Sequence, residues 1–392
     1  MPRLQQSRRR RLSTKHLVLI AVLALVGSGG TFALVAGTAS AHWRNSSSSV
    51  KTESNKHRYN NWGQNNGASA SPSATASASA SASASASASA SASASATGGG
   101  AVTTNGPSPD DFADINSVQP NVQKAATQSG GSTGVFTARC GRNENGHFNP
   151  DNFIVAPGVS NGAHHVHDYV GNLTTDGFST NESLAAAGTT CAKGDKSAYF
   201  WPVLRTRSAN DAADADGNTG TILTPTTVSI TFRGSPTAKV TAMPSTLKAI
   251  MGDAKAFTNG VANAKASWSC TGFENRQLTD KYPLCPSGSK VVRTLNFPSC
   301  WDGVNTDSAN HRTHIVFPDA AGACPANTKA VPQLRYRLTY ALPANTGTNF
   351  AVDSFPEQLH KPVTDHADFA NFMPDSLMNQ VVGCINSNRR CG

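Results

Sequence analysis

Leu334-Arg335-Tyr336-Arg337-Leu338-Thr339-Tyr340 sets an apolar or aromatic side chain at every second position, and Thr227-Val228-Ser229-Ile230-Thr231-Phe232 repeats the pattern. Successive side chains of a strand point to opposite faces, so this period of two describes a strand with one buried face. Working outward, shorter runs rich in β-formers occupy 134–138, 152–156, 198–206, 226–233, 290–297, 313–317 and 333–341, between clusters of Gly, Pro, Asn and Asp. Helical candidates are few and short: 112–118, 183–187, 244–250 and 374–382. No alternation of strand and helix runs through the chain. The pattern predicts a mainly β protein, an antiparallel sandwich with long disulfide-tied loops and a few short helices, with α+β as the neighbouring class.

The region before this β-rich part differs in kind. Arg3, Arg8 to Arg11 and Lys15 precede an apolar run at 17–37, and Ala39-Ser40-Ala41 has the A-x-A form of a cleavage site. Residues 1–41 are expected to be a signal peptide, with an uncleaved membrane anchor as the rival reading. Cleavage would expose His42, but that residue leads a Ser/Asn-rich arm with no fixed partner histidine. Residues 42–106 include an unbroken Ser-Ala alternation at 77–96, too small in side chain to offset chain entropy, and are expected to be a disordered linker. Residues 107–392 are then one globular domain.

Charge is distributed with the same asymmetry. Residues 1–41 carry six basic and no acidic side chains, and 42–106 carry Arg44, Lys51, Lys56 and Arg58 against Glu53. The formal charge of +9 therefore lies entirely ahead of residue 107. A neutral domain has no overall electrostatic footprint for a phosphate backbone, so nucleic acid is not expected as a partner. Membrane contact is expected only through the N-terminal segment, if it is uncleaved.

All 8 cysteines, Cys140, Cys191, Cys270, Cys285, Cys300, Cys324, Cys384 and Cys391, lie in the globular part, and no C-x-x-C pair occurs. An even count in an exported chain reads as disulfides. Neighbour pairing is the default expectation among many possible connectivities. The loop Asp211-Ala212-Ala213-Asp214-Ala215-Asp216-Gly217 resembles a calcium loop, but Ala212 and Leu223 stand where its first and last ligands belong. An Asp-Gly turn between two strands is the better account.

Three segments concentrate polar chemistry. In Asn161-Gly162-Ala163-His164-His165-Val166-His167-Asp168-Tyr169, an extended chain would aim His165 and His167 to one side and His164 and Asp168 to the other. The second, at 297–314, holds Trp301, Asp302, Asp307, His311 and His314. The third is Asp365-His366-Ala367-Asp368-Phe369. We expect these segments to converge on one site. Its metal ligands would be His165, His167, His311 and His314, holding zinc, copper or manganese. Its catalytic groups would be Asp368, Asp302 and His366, and Trp201, Trp301 and Tyr169 would line a sugar subsite. The bland alternatives are polar loops that happen to contain histidines, helix capping by Asp368, and core tryptophans.

The quoted segments resemble the family described as domain of unknown function 1996, found in secreted bacterial and fungal proteins. The matching pieces are Asn149-Pro150-Asp151, Ala156-Pro157-Gly158, Ser160 to Gly171, Tyr199-Phe200-Trp201-Pro202, the 297–314 signature, Phe317-Pro318, Cys324-Pro325 and His366-Ala367-Asp368-Phe369-Ala370-Asn371. The resemblance implies recurring polar positions at His165, His167, His311, His314, His366 and Asp368. Relatives that carry carbohydrate-binding modules imply work on cell walls. The expected function is a metal-assisted hydrolase acting on cell-wall or extracellular polysaccharide, outside the cell. Its rivals are a non-catalytic glycan- or metal-binding surface module and a structural extracellular domain. No G-x-S-x-G or H-E-x-x-H occurs, which removes the usual esterase and zinc-protease readings.

Overall fold

Alternation along the two opening stretches becomes the centre of a six-stranded sheet. Gln333–Tyr340 pairs antiparallel with Val291–Asn296 on one side and Thr227–Arg233 on the other. Ser267–Cys270 extends one edge, and Val135–Ala138 followed by Arg390–Cys391 extends the other. All these pairings are antiparallel except the last, between Arg390–Cys391 and Val135–Ala138. This computed structural model describes residues 106–208 and 210–392. The segments expected to be a leader (1–41) and, for almost all of its length, a linker (42–106) lie outside the described residues.

A second sheet has five strands in the order Phe148–Asn149, His167–Gly171, Ala198–Pro202, His366–Ala370, Lys248–Gly252, all antiparallel. The two sheets pack face to face, as sandwich halves do. Tyr336 meets Tyr199 and Trp201 with ring centroids 5.9 and 5.6 Å apart, and Phe369 lies 6.3 Å from both Phe232 and Phe297. Leu334, Tyr336 and Leu338 are fully buried between the sheets, while Gln333, Arg335 and Arg337 face outward and are only partly covered.

The outer face of the five-stranded sheet has a smaller core of its own. Phe153, Ile154 and Leu184 lie over Tyr169, Phe200, Ile250 and Ala370. Residues 152–156 were expected to form a strand. They form turns instead, because Asn152 Oδ1 accepts the amides of Ile154 and Val155 at 3.0 and 3.3 Å and curls the chain over the sheet. The expected helix at 244–250 is another correction. Its second half is the edge strand Lys248–Gly252, held by pairing with His366–Ala370.

Asn181–Ala186 and Asp375–Asn386 are the expected helices at 183–187 and 374–382, each somewhat displaced or longer. Among the described residues no helix is long and apolar enough to cross a membrane. The cysteines pair as neighbours, Cys140–Cys191, Cys270–Cys285, Cys300–Cys324 and Cys384–Cys391. The 211–220 loop is a turn joining Leu204–Thr206 to Thr221–Leu223, its Asp214 Oδ1 accepting the amides of Asp216 and Asn218.

Candidate metal centre

Strand register brings two histidines level with each other. His167 pairs with Pro202, and the pairing of Asp368 with Phe200, carried on two residues, sets His366 opposite Pro202 as well. His167 and His366 thus flank one intervening strand, at roughly twice the 4.8 Å strand spacing. Both rings project to the outer face, and His165 enters from the loop above. The approach is sharply turned, with Asn161 at φ 56° and His164 at φ 52°. That turn sends His164 outward to Asp216, 2.8 Å away, and His165 inward.

The three rings meet through one kind of atom. His165 Nε2 lies 3.1 Å from His167 Nε2 and 3.1 Å from His366 Nε2. The far nitrogens of the two strand histidines are fixed by backbone carbonyls. His167 Nδ1 donates to the Asp151 carbonyl and His366 Nδ1 to that of Thr364, both at 2.9 Å. A neutral imidazole with a protonated Nδ1 presents a bare lone pair at Nε2. Two lone pairs therefore face a third nitrogen that has at most one proton to offer. His165 Nδ1 is itself buried without a hydrogen-bond partner.

All three rings are buried, at 2, 0 and 4% exposure for His165, His167 and His366. Burial and the neighbouring imidazoles hold His165 well below its ordinary pKa, and burial with His366 brings His167 down to about 3. Burial lowers His366 too. Protonation thus cannot relieve the crowding near neutral pH. A cation can, and neutral imidazoles are the form that ligates one. With Zn–N bonds near 2.05 Å, tetrahedral ligand nitrogens sit about 3.3 Å apart. The two spacings from His165 are close to that, and the Nδ1–carbonyl bonds are the usual outer support of metal-binding histidines. Among the described residues, His165, His167 and His366 are one of two groups of three whose ligand atoms all lie within 4.8 Å of one another. A second such group, Cys140, Cys191 and Asp195, is tied up in a disulfide.

Asp368 shares the outer face with His366 but stands outside the three-nitrogen cluster. Its Oδ2 accepts from Asn152 Nδ2 at 3.2 Å, and its Oδ1 is buried without a partner. Burial, only partly opposed by Asn152 and the Arg312 charge, raises it to about 7. Tyr169 lies beside it, stacked on Phe200, with its hydroxyl donating to the Asp151 carbonyl at 2.8 Å.

The remaining expected site residues are elsewhere. His314 has no lone pair to spare, since Nδ1 engages the Ser308 hydroxyl at 2.9 Å and Nε2 the Lys248 carbonyl at 2.7 Å. His311 is half-buried against Asp307, 2.8 Å away. Asp302 holds a turn, accepting the amides of Val304 and Asn305 at 2.9 Å each. Trp301 donates to the Asn305 carbonyl in the same turn. Trp201 is 0% exposed between the sheets, on the face away from the histidines, so it is a core residue and offers no sugar platform.

Other residues at the site were missed. Phe355 closes over His165, with centroids 5.4 Å apart, and Arg312 reaches the Gly252 carbonyl at 2.7 Å beside His366. Asp151 organises the loop: its carboxylate accepts the amides of Asn161 and Gly177 while its carbonyl holds His167 and Tyr169. The Asn149-Pro150-Asp151 motif was the available signal for it.

Residues 152–371 match the family model described as Domain of unknown function (DUF1996). The chain belongs to that family, and the matched span contains all three histidines. No curated protein and no solved structure matches the chain.

Proposed function

We propose that this protein binds one transition-metal ion at His165, His167 and His366 outside the cell, and that the ion serves hydrolysis of a cell-wall or extracellular polysaccharide. The observation that carries the metal is the convergence of three Nε2 atoms, two of them with lone pairs fixed by Nδ1–carbonyl bonds. Three neutral imidazoles without a carboxylate among them suit zinc or copper better than manganese. Three protein ligands leave a coordination position open, as hydrolytic zinc sites do, and an ion there would supply polarisation of a substrate oxygen and activation of water. Asp368, poised near neutral pH on the same face, is the residue suited to moving a proton. Four disulfides accord with an exported chain, carried behind a leader at 1–41 and a spacer at 42–106 ahead of one globular domain.

Burial of all three rings favours a second reading, in which the ion is held without turnover in a binding module. One experiment separates these. Metal content of the purified full chain is measured beside the His165→Ala, His366→Ala and His311→Ala variants, followed by a reducing-end assay on wall polysaccharides. We expect near-stoichiometric zinc or copper, lost in the first two variants and kept in the third. New reducing ends that require the metal support the hydrolase, and metal without turnover supports the binding module. No metal after reloading with zinc, copper or manganese would sink both.

A further inference from the structure

The outer face of the six-stranded sheet, on the other side of the sandwich from the histidines, forms the floor of a groove of about 590 Å³. That is within the roughly 300–1,000 Å³ range of ligand clefts. Its walls are the 122–127 segment, the 318–322 turn and the Glu274–Gln277 turn. The first wall is anchored by backbone bonds, Asn121 to the Asn275 carbonyl at 2.9 Å and Gln128 to the Pro236 carbonyl at 2.8 Å.

Two arginines lie on the floor without partners. In register, Arg335 is opposite Thr231 and Arg233 is opposite Gln333, so the two guanidinium groups are diagonal neighbours on adjacent strands. Among the described residues neither forms a salt bridge, and Arg335 Nε is buried with no hydrogen-bond partner. Neither groove carboxylate, Glu274 or Asp319, pairs with Arg233 or Arg335 among the described residues. Glu274 takes the Arg337 guanidinium at 2.5 Å, and Asp319 accepts the Ala323 amide at 2.8 Å. Burial, with the charges of Arg233 and Arg337, lowers Arg335 to about 10, so it remains cationic at neutral pH. Crowding like charges on a half-buried sheet face, with one donor unsatisfied, destabilises the free protein, and a bound anion relieves it.

The lining narrows the class of anion. Asn296, Gln333, Gln277, Thr294 and Ser267 offer amides and hydroxyls suited to polyhydroxyl chains. Among the described residues no aromatic side chain lines the groove. Neutral sugars and single-stranded nucleic acids are usually gripped by stacking on aromatic faces, which is absent here. Charge and hydrogen bonds must then carry recognition, and paired guanidinium groups recognise carboxylate or phosphate by two-pronged contacts.

We propose that this groove binds an anionic, hydroxyl-bearing polymer, with its acidic groups paired to Arg233 and Arg335 and its hydroxyls to the neighbouring amides. The site is independent of the histidine centre, and its test does not require a metal. Binding of the full chain is measured by calorimetry at low salt with oligogalacturonate, with poly(glycerol phosphate) and with neutral maltohexaose. We expect binding to an anionic polymer that weakens with salt, and none to maltohexaose. Preference between the two anionic polymers assigns the acidic group as carboxylate or phosphodiester.

The Arg233→Gln/Arg335→Gln variant should lose roughly tenfold or more in affinity, the scale of one charge-assisted hydrogen bond. Its melting temperature should be unchanged or higher. Gln333→Glu, which sets a carboxylate between the arginines, is the second variant and should weaken binding as much. His165→Ala should bind as the parent does. Equal affinity for maltohexaose, no binding to either anionic polymer, or full affinity in the folded arginine variant or in Gln333→Glu would overturn the proposal.

Discussion

Asp365 and His366 are adjacent in the chain and serve opposite sides of the five-stranded sheet. His366 points out to the other histidines, while Asp365 points in to Arg293, with Nη2 2.5 Å and Nε 3.1 Å from its two oxygens. Both members of that pair are fully buried. Arg293 also donates to the Pro202 carbonyl at 2.9 Å, so one guanidinium ties down the residue between the two strand histidines. Breaking a buried pair leaves an uncompensated charge, and Asp365→Asn is expected to cost about 3–5 kcal/mol. Urea unfolding of the metal-free protein checks this, and a loss under 1 kcal/mol would mean that Arg293 is satisfied by Pro202 and Tyr340 alone. The pairing of His165 with His167 was legible because H-x-H in extended chain is a local geometry. His366 was expected at the same site as a catalytic group; that its ring nitrogen meets those of the other two was not legible, because it lies 201 positions from His165 and only sheet order sets the rings together.

Strand elements were legible where one face is apolar and the other wet. Gln333–Tyr340 and Thr227–Arg233 satisfy that condition and lie within a residue or so of the expected bounds. Lys248–Gly252 does not, since four of its five residues are buried, and continuous apolar sequence reads equally well as helix. The placement of the expected ligands His311 and His314 was not legible for a related reason. Spacing by three aligns side chains only on a helix, and this segment is a loop with His311 at φ 55°. At the element scale, the His366–Ala370 strand joins the two halves of the fold through Phe369, which touches Tyr199 at 5.2 Å as well as Phe232 and Phe297. Phe369→Ala should cost about 3–5 kcal/mol through loss of buried area and the cavity left behind. Chemical denaturation measures it, and a small loss would show that the sheets can close over the gap.

At the scale of the whole molecule, covalent crosslinks are all local. The disulfides close loops of 51, 15, 24 and 7 residues. On chain-entropy grounds the Cys140–Cys191 bridge contributes about 4 kcal/mol and Cys384–Cys391 about 2 kcal/mol. Replacing each pair by alanine should therefore lower the melting temperature more for the first than for the second. The reverse order would place the larger effect in native packing around the C-terminal helix.

The spans of these bridges have a further consequence. None crosses residues 192–269, and the 211–220 turn lies inside that interval. A single proteolytic nick in that turn divides the chain into two polypeptides with no covalent bond between them. They would remain one particle on a native gel, because each piece completes both sheets of the other, and would separate in detergent without any reductant. His165 and His167 would travel with one piece and His366 with the other, so an ion shared by the three would add coordinate bonds to the strand pairing that joins the two halves of a split protein.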